Sequence, residues 1–363
     1  MVQIRRVTGF IPLTTDHWYM PTLQAHALIE LARQIFTAAG ATPANAEGVV
    51  SSLVGANLAG HDSHGVMRIP AYVRDIRAGR LDPGASPFIA HETATVALVD
   101  GAGTFGQVGS AFAAELAAAK ARASGVAVVA AQHCHHTGRI GEWVERIAAH
   151  GLIGMAANSS PRGPHQVAPY GGIKGALGTN PIAWGIPRAA GQPPIVLDYA
   201  TSVIAQGKLQ VARVKGEPVP PGTILNSAGQ PTTNVEDFFG GGLLLPFAGH
   251  KGYAMSVIVE LLAVGLSAGE QVRPPEPGAC LQVLAIDPSA LRPAEEFTAY
   301  VEAVANRLKA TPPASGSTEV LLPGEPEART RGQRSRDGIP VPERTWSAIL
   351  ATAEELSVAA ARD

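Results

Sequence analysis

Two groups of histidines stand out among the 11 histidines of the chain. His61 and His64 are one helical turn apart, and His133, His135 and His136 lie in one short segment. Imidazole exchanges protons near neutral pH, and neutral imidazoles at short spacing also bind metals such as Zn²⁺. The two groups therefore predict either an acid–base site or a metal site.

The surroundings of the histidines favour proton transfer. Apart from Cys134, neither group has a thiolate or carboxylate at a convincing ligand spacing, so we expect no metal. His64 and His136 each lie in a glycine-containing turn at the end of a predicted element, where side chains reach clefts. We therefore take these two as the acid–base candidates, and a protein that binds metal through its histidine cluster is the alternative from another class.

A glycine-rich segment resembles a dinucleotide-binding loop. Residues 101–106, Gly-Ala-Gly-Thr-Phe-Gly, lie between a predicted strand and a predicted helix. In a Rossmann domain an acidic residue about 20 positions later binds the ribose. Here the next predicted strand, 126–131, is followed by Gln132 and His133. We therefore predict a tight turn at this segment and no Rossmann phosphate loop.

The composition excludes several classes of protein. Apolar residues make up 46% and charged residues 16% of the 363 residues, which is typical of a folded protein of about two domains and not of a disordered chain. The formal net charge is −2, so the chain has no basic excess for a nucleic acid or an anionic membrane. We therefore expect no nucleic-acid or membrane partner.

Cysteine usage and hydropathy predict a cytoplasmic location. Cys134 and Cys280 are too few for a disulfide framework, which favours a reducing compartment. The first 15 residues lack the apolar core of a signal peptide. The most apolar long stretch, 255–266, contains Glu260 and is shorter than the ~20 residues of a membrane span.

The elements that must position these residues change in kind along the chain. Residues 21–77 show helical periodicity, with one helix beginning near Thr42 and ending before Gly60. From residue 94 onward, β-branched runs alternate with helix formers, and this alternation by itself favours an α/β domain with a parallel sheet. Residues 214–250 carry turn signals and are predicted as a long ordered loop.

Ordered motifs resemble those of the type-2 malate/L-lactate dehydrogenase family, over about residues 22 to 360. The first is His61-Asp-Ser63-His64-Gly65-x-x-Arg68-x-x-x-Tyr72. The others, in chain order, are Gly106-Gln107, His135-His136-Thr-Gly138, Pro169-Tyr-Gly171-Gly172, Gly178-Thr-Asn180-Pro181, Asp198-x-Ala200-Thr201-Ser202, Gly207-Lys208, His250-Lys251-Gly252-Tyr253 and Pro323-Gly324-Glu325. The family includes ureidoglycolate and sulfolactate dehydrogenases, diketogulonate reductase and Δ1-piperideine-2-carboxylate reductase.

The resemblance implies an α/β protein without a Rossmann fold. A largely antiparallel NAD(P)-binding sheet domain is expected beside a helical domain built from both chain ends. The implied boundaries are 1–85 and 250–363 for the helical substrate and dimerisation part, and 86–249 for the nicotinamide-dinucleotide-binding part. The resemblance also implies a homodimer with its active site near the subunit interface.

The resemblance further implies hydride transfer between NAD or NADP and a small 2-hydroxy or 2-oxo acid of the malate, lactate or sulfolactate type. Such a reaction needs an acid–base group, a hydride acceptor and an anchor for the carboxylate. His136 and His64 are the acid–base candidates, and the sequence does not choose between them. Asp198 either orients a histidine, contacts the substrate or caps a helix.

Substrate and cofactor residues follow from the same motifs. Arg68 has a planar fork suited to a carboxylate, and Tyr72 and Ser63 complete the implied substrate-binding set. The implied cofactor-binding residues are Ser160, Gly178, Thr179, Asn180, Lys208, His250, Lys251 and Gly252. Ala248 and Ala254 depart from the family pattern, because many relatives have glycine at these positions.

Two choices stay open at the level of sequence. The motifs are equally compatible with reduction of cyclic imino acids such as Δ1-piperideine-2-carboxylate. The arginines of segment 329–336 either bind the 2′-phosphate of NADP or lie in a solvated loop, so the preference between NAD and NADP is not fixed.

Overall fold

The computed structural model describes residues 21–161, 163, 165–267 and 278–359. The chain divides into two compact units, Met1–Ala85 with Pro326–Asp363, and Ser86–Glu325. We call the first the terminal unit and the second the central unit. None of the helices in the described ranges has the length and apolar composition needed to span a membrane.

Eleven α-helices lie in the described residues. They are α1 (Ala25–Ala38), α2 (Pro43–Leu58), α3 (Ile69–Arg77), α4 (Gly106–Ser124), α5 (Gly141–Ala149), α6 (Gln206–Lys215), α7 (Val235–Phe239), α8 (His250–Glu260), α9 (Ala294–Lys309), α10 (Glu325–Asp337) and α11 (Glu343–Glu355). Short 3₁₀ turns cover Asp62–His64, Val66–Arg68 and Pro288–Ala290, and a π-helix, Leu261–Gly265, directly follows α8.

Twelve strands complete the described elements. They are β1 (Thr22–Leu23), β2 (Phe88–Glu92), β3 (Val96–Asp100), β4 (Val126–Cys134), β5 (Ile153–Ser159), β6 (Ile182–Ile186), β7 (Ile195–Tyr199), β8 (Ile224–Leu225), β9 (Pro231–Thr232), β10 (Leu243–Leu244), β11 (Ala279–Ile286) and β12 (Ile339–Pro340).

The terminal unit is mainly helical. Ile35 and Phe36 of α1 and Val49 and Leu53 of α2 are fully buried where the two helices pack together. The Thr42 hydroxyl accepts a hydrogen bond at the start of α2, as expected for an N-cap. Helix α3 packs against α11, and β1 pairs antiparallel with β12, so both ends of the chain build this unit.

The central unit is organised around a seven-stranded sheet with the order β2-β3-β4-β11-β5-β6-β7. Five neighbouring pairs are antiparallel, and β3 with β4 is the parallel pair. The prediction of a non-Rossmann, largely antiparallel α/β fold is confirmed. The parallel sheet expected from strand and helix alternation is wrong, because β11, from far along the chain, lies between β4 and β5.

The connection between the two parallel strands, β3 and β4, contains the glycine-rich segment. It joins β3 to α4, so residues 101–106 have the strand–turn–helix context of a phosphate loop. Its glycines are instead needed for close packing: a Cβ at Gly106 would lie 2.2 Å from the His135 carbonyl oxygen, and one at Gly101 would lie 2.6 Å from Cys134 Sγ. The segment is a turn packed against the end of β4, as the missing acidic residue predicted.

Helices cover both faces of the sheet. Alanines of α4 and Trp143 of α5 pack with Leu281 and Val283 on one face. Val259 of α8 packs with Met155 on the other face. Because side chains alternate along a strand, β11 contributes to both layers, and the central unit is a helix–sheet–helix sandwich.

The boundary of the units differs from the predicted one at the C-terminal side. Residues 250–325 belong to the central unit, because β11 lies inside its sheet and α8 covers one sheet face. The roles given to the two parts remain predictions. Residues 214–250 are also more structured than the predicted loop, since they contain α7 and a three-stranded sheet of the order β10-β8-β9.

Candidate active site

The turn after α2 in the terminal unit carries three of the predicted site residues, and the side chain of Asn57 organises it. The Asn57 amide nitrogen donates to Asp62 Oδ1 at 2.6 Å, and its oxygen accepts from the Val66 N–H at 2.8 Å. A Cβ at Gly65 would lie 2.1 Å from Asn57 Oδ1, so only glycine fits there.

Arg334 of α10 braces the same turn. Its guanidinium donates to the Asn57 carbonyl at 2.5 Å and to both carboxylate oxygens of Asp62 at 2.6 and 3.1 Å. The arginine-rich segment is therefore helical and not the loop that one of the two sequence interpretations assumed. Arg334 is thus engaged within the protein, and the choice between NAD and NADP stays open.

Ser63, His64 and Arg68 are brought together by this turn. Ser63 Oγ lies 2.9 Å from His64 Nδ1, and Arg68 Nε donates to the Ser63 carbonyl at 2.7 Å. The three side chains are partly exposed. Within the described residues, Arg68 forms no ion pair with a carboxylate. One turn thus holds an imidazole and a guanidinium through contacts with the same serine.

Tyr72 lies in α3, one turn after Arg68, and is buried. Its ring centroid is 6.4 Å from that of Phe36 in α1. Most of the side chain therefore belongs to the core of the terminal unit, and its predicted contact with a substrate stays a prediction.

In the central unit, His136 lies in the loop between β4 and α5. The bare Cα of Gly106 lets the backbone of His135 and His136 approach α4 closely. The Gly138 N–H donates to His136 Nδ1 at 3.4 Å, and Gly138 adopts the left-handed φ of 74° that ends the turn.

Asp198, at the end of β7, fixes the other end of this loop. Its carboxylate accepts a hydrogen bond from the Gly141 N–H, at the start of α5, at 2.9 Å. The structure thus places this carboxylate at the N-terminus of α5, and its predicted catalytic role stays a prediction. Through α5 it ties β7 to the loop of His136.

Arg139 is the buried charge next to this carboxylate. It donates to Glu145 at 2.5 Å, and a Cβ at Gly141 would lie 2.6 Å from its Nη1 and 2.7 Å from Asp198 Oδ2. Burial lowers the pKa of Arg139, but Glu145 and Asp198 raise it by more, so the group is charged at neutral pH.

The predicted cofactor residues Thr179 and Asn180 lie in the segment before β6. Asn180 has a left-handed φ of 37°, which asparagine adopts more readily than most residues. Thr201, itself fully buried, donates from its hydroxyl to the carbonyls of Thr179 and Asn180, both at 3.0 Å. The Thr201 carbonyl accepts from the Phe247 N–H at 3.0 Å. This connection brings the segment before β6 beside the turn before α8.

The first turn of α8 carries the predicted residues His250, Lys251 and Gly252. His250 and Lys251 are exposed, whereas Gly252 packs so closely on Phe247 that a Cβ would lie 2.1 Å from its carbonyl oxygen. The His250 ring lies 5.9 Å from the ring of Tyr170, edge to face. Ala248 has a φ of 46°, a conformation that favours glycine.

Two further segments of the central unit carry Lys208 and Ser160, and Gly178 lies in the segment before β6. Lys208 is exposed on α6, Gly178 immediately precedes Thr179, and Ser160 directly follows β5 and is partly exposed. Neighbouring Leu209 shares an apolar cluster with Tyr253 of α8, so α6 and α8 pack on the same core. In the described part of the chain, neither Lys208 nor Lys251 forms an ion pair with a carboxylate.

Sequence reasoning missed the supporting roles of two residues, one in each unit. Glu260 contacts Ser159 and Asn180 at the end of α8, and Arg334 braces the turn of His64. A single acidic residue in the apolar stretch 255–266 was a visible signal for Glu260. The sequence marked Arg334 only as one of the arginines of segment 329–336, and its contacts with the turn were not predictable because its partners lie more than 270 residues earlier in the chain.

The described residues contain no group of three or more histidine, cysteine, aspartate or glutamate side chains placed to hold a metal. His133 instead pairs through Nδ1 with Asp100 at 2.8 Å, and His61 lies 3.6 Å from Glu327. Neither histidine group is therefore arranged as a metal site in these ranges.

Comparison with known proteins places these features in one family. Residues 23–350 match the family described as malate/L-lactate dehydrogenase. Hydroxycarboxylate dehydrogenase B of Escherichia coli K12 is 39% identical over 343 residues, covering 92% of this chain and 94% of that protein. A Δ1-pyrroline-2-carboxylate/Δ1-piperideine-2-carboxylate reductase of Pseudomonas syringae is 39% identical over 259 residues, covering 71% of this chain and 74% of that protein.

A solved structure agrees over almost the whole chain. The malate dehydrogenase of Pyrococcus horikoshii superposes with a TM-score of 0.85 at 30% identity and covers 99% of both chains. The sequence motifs and the fold therefore point to the same family.

Proposed function

Because the chain belongs to the malate/L-lactate dehydrogenase family, and is thus an oxidoreductase, we propose that it transfers a hydride between a nicotinamide dinucleotide and C2 of a small 2-hydroxy or 2-oxo carboxylic acid. The observation that carries the proposal is the turn in which Ser63 contacts both His64 and Arg68. An acid–base group and a carboxylate anchor on one rigid turn match the requirements of this substrate class.

In the proposed reaction the two terminal NH₂ groups of the Arg68 guanidinium bind the substrate carboxylate in a bidentate pair. When the hydroxy acid is oxidised, the C2 hydrogen leaves with its electron pair and the hydroxyl proton passes to an imidazole. His64 and His136 both remain candidates for that imidazole. In the reduction direction the same imidazole returns the proton to the carbonyl oxygen, so the charges balance in both directions.

The central unit supplies groups that fit a dinucleotide. Lys208, His250 and Lys251 are exposed, and the last two lie at the N-terminus of α8, where backbone N–H groups and positive side chains suit phosphates. A bound nicotinamide would supply the hydride acceptor or donor. The donor set is equally suited to NAD and NADP, so both are proposed.

The direct test is a panel of reactions followed by nicotinamide absorbance. Purified protein is mixed with NADH or NADPH and with pyruvate, oxaloacetate, sulfopyruvate or Δ1-piperideine-2-carboxylate. We expect cofactor consumption with at least one 2-oxo acid. Consumption with the cyclic imine alone would move the chain to the imino-acid reductases, the second candidate that the Pseudomonas relative supports. Absence of turnover and of cofactor binding would contradict the proposal.

Variants of the two histidines decide which one transfers the proton. We expect His64→Ala or His136→Ala to lower kcat by about 10²- to 10⁴-fold, the usual contribution of general acid–base catalysis. Full turnover in both variants would contradict the proposed mechanism.

Two properties of the whole protein belong to the same proposal. A homodimer is supported by the exposed apolar side chains of Ile258 on α8 and of Leu261 and Leu266 after it, and light scattering tests it. A cytoplasmic location is supported by the two free, buried cysteines, and cell fractionation tests it.

A further inference from the structure

The carboxylate of Glu260, at the C-terminal end of α8, contacts the segment of the proposed dinucleotide site that contains Thr179 and Asn180. Glu260 is the last residue of α8, whose first residues are His250, Lys251 and Gly252. Its Oε2 lies 3.0 Å from Asn180 Nδ2, in the segment of Thr179. One carboxylate therefore links the far end of α8 to the segment before β6.

The contacts around Asn180 form a closed network. Asn180 Nδ2 also donates to the Ser256 carbonyl at 3.1 Å, and Ser159 Oγ lies 2.8 Å from Asn180 Oδ1 and 2.5 Å from Glu260 Oε2. Asn180 and Ser159 are almost fully buried. In such surroundings an unsatisfied amide is costly, so the network strongly restrains the Asn180 side chain.

The backbone of Asn180 needs that restraint. Its φ of 37° lies in the left-handed region, which is unfavourable for most residues with a side chain, although less so for asparagine. The Thr201 hydroxyl donates to the backbone carbonyl of Asn180, and the Glu260 carboxylate accepts from the side-chain amide of Asn180. Together these contacts restrain Asn180 in its left-handed conformation, next to Thr179.

A change of helix type marks the same position. The α-helix ends at Glu260, and the π-helix Leu261–Gly265 begins at the next residue. Such π segments are rare and occur frequently at functional sites. Glu260 is the polar residue at this junction, and the residue before it, Val259, is buried against the sheet.

We propose that Glu260 is a positioning residue for dinucleotide binding, which couples the segment of Thr179 and Asn180 to α8. Glu260 acts through Asn180 and does not transfer a proton or hydride. The inference rests on the proposed function, because the two coupled segments are its cofactor-binding segments. Removing the carboxylate releases Asn180 and weakens binding of the cofactor more than binding of the acid.

The test compares Glu260→Ala with Glu302→Ala. Glu302 is a matched control, since it accepts two hydrogen bonds from Arg188 and one from the Ala189 N–H in the same unit, but contacts none of the cofactor segments. Binding of NADH and of NADPH is measured by nicotinamide fluorescence, and KM is measured for cofactor and 2-oxo acid separately. We expect Glu260→Ala to raise the cofactor Kd and KM about tenfold, with the acid KM changed less than about threefold. Glu302→Ala should leave the cofactor Kd within about twofold of the wild-type value.

Two conservative variants keep the test decisive if Glu260→Ala does not fold. Glu260→Gln keeps an oxygen that accepts from the Asn180 amide, so we expect it to recover part of the cofactor affinity. Ser159→Ala removes one contact with little change in volume, and we expect a smaller rise in cofactor Kd.

Unchanged cofactor Kd in Glu260→Gln and Ser159→Ala, or equal effects of Glu260→Ala and Glu302→Ala, would overturn the inference. An equal rise of both KM values would do so as well. Failure of the wild-type protein to bind either dinucleotide would instead overturn the proposed function, so the two failures are distinguishable.

Discussion

At the level of single residues, the proposed chemistry depends on Ser63, His64 and Arg68. The motif that contains them could be recognised in the sequence, because the spacing of residues within one short segment does not depend on the fold. Their mutual contacts were not readable, since these depend on Asn57 and on the glycine that fits against it. The residue types were therefore predictable, and the geometry was not.

Arg68→Lys tests the carboxylate anchor. Lysine keeps the charge but loses the planar fork and the bond from Nε to the Ser63 carbonyl. We expect the KM for the 2-oxo acid to rise about 10- to 100-fold, with a smaller change in the KM for the cofactor. Arg74→Lys, at an exposed position of α3, is the control and should leave both values unchanged. An unchanged acid KM in Arg68→Lys would remove the anchor role.

Ala248 and Ala254 should respond in opposite ways to glycine. Ala248 has a φ of 46°, so Ala248→Gly relieves backbone strain and should leave the free energy of unfolding unchanged or raise it by up to about 1 kcal/mol. Ala254 lies inside α8, where glycine costs about 1 kcal/mol. Denaturant unfolding of both variants measures the difference. A stability loss at Ala248 as large as that at Ala254 would contradict the assigned conformation.

Cys134 gives a prediction about pH. Burial raises the pKa of its thiol from 9.0 to about 12. The unfolded thiol ionises from about pH 9 while the folded one stays protonated, so its contribution to stability is present below pH 9 and is lost as pH rises. We expect stability to fall between pH 9 and 10 by about 1 kcal/mol more in wild type than in Cys134→Ala.

Thiol labelling checks the same burial directly. Iodoacetamide at pH 8 should leave Cys134 and Cys280 unmodified in the native protein and label both after denaturation, as read by mass spectrometry. Rapid labelling of native Cys134 would contradict the packing at the end of β4.

At the scale of elements, the fold holds its site residues on turns that other elements brace. The turn after α2 is held by Arg334 of α10, and the loop after β4 by Asp198 at the end of β7. Local periodicity predicted α1 and α2 well, because their apolar spacing is their own. It could not predict β8, β9 and β10, which are only two residues long and form through pairing.

Arg334→Ala tests the brace of the turn. Asp62 is partly exposed, which screens the ion pair, so we expect the free energy of unfolding to fall by only about 1 kcal/mol. Because the turn carries His64 and Arg68, kcat/KM should fall by more than this stability loss explains. Arg336→Ala, at an exposed position of the same helix, is the control. Identical kcat/KM values in the two variants would show that the turn does not need Arg334.

At the level of the whole molecule, the sequence pattern gave a wrong prediction of how the strands of the large sheet pair. Strand and helix alternation favoured a parallel sheet, yet only β3 and β4 pair in parallel among the seven strands. Two of the five antiparallel pairs arise because β11, about 120 residues beyond β5 in the chain, lies between β4 and β5, and the other three join strands that are consecutive in the chain. Local patterns carry no information about such pairing, whereas the resemblance to a family did.

We propose that the protein as a whole transfers a hydride between a nicotinamide and C2 of the acid. The most direct measurement uses NADH or NADPH deuterated at the transferring C4 position, with pyruvate and oxaloacetate as acceptors. We expect one deuterium at C2 of the hydroxy-acid product, detected by NMR and mass spectrometry. A reduced product without deuterium at C2, or no reduced product from any 2-oxo acid, would contradict it.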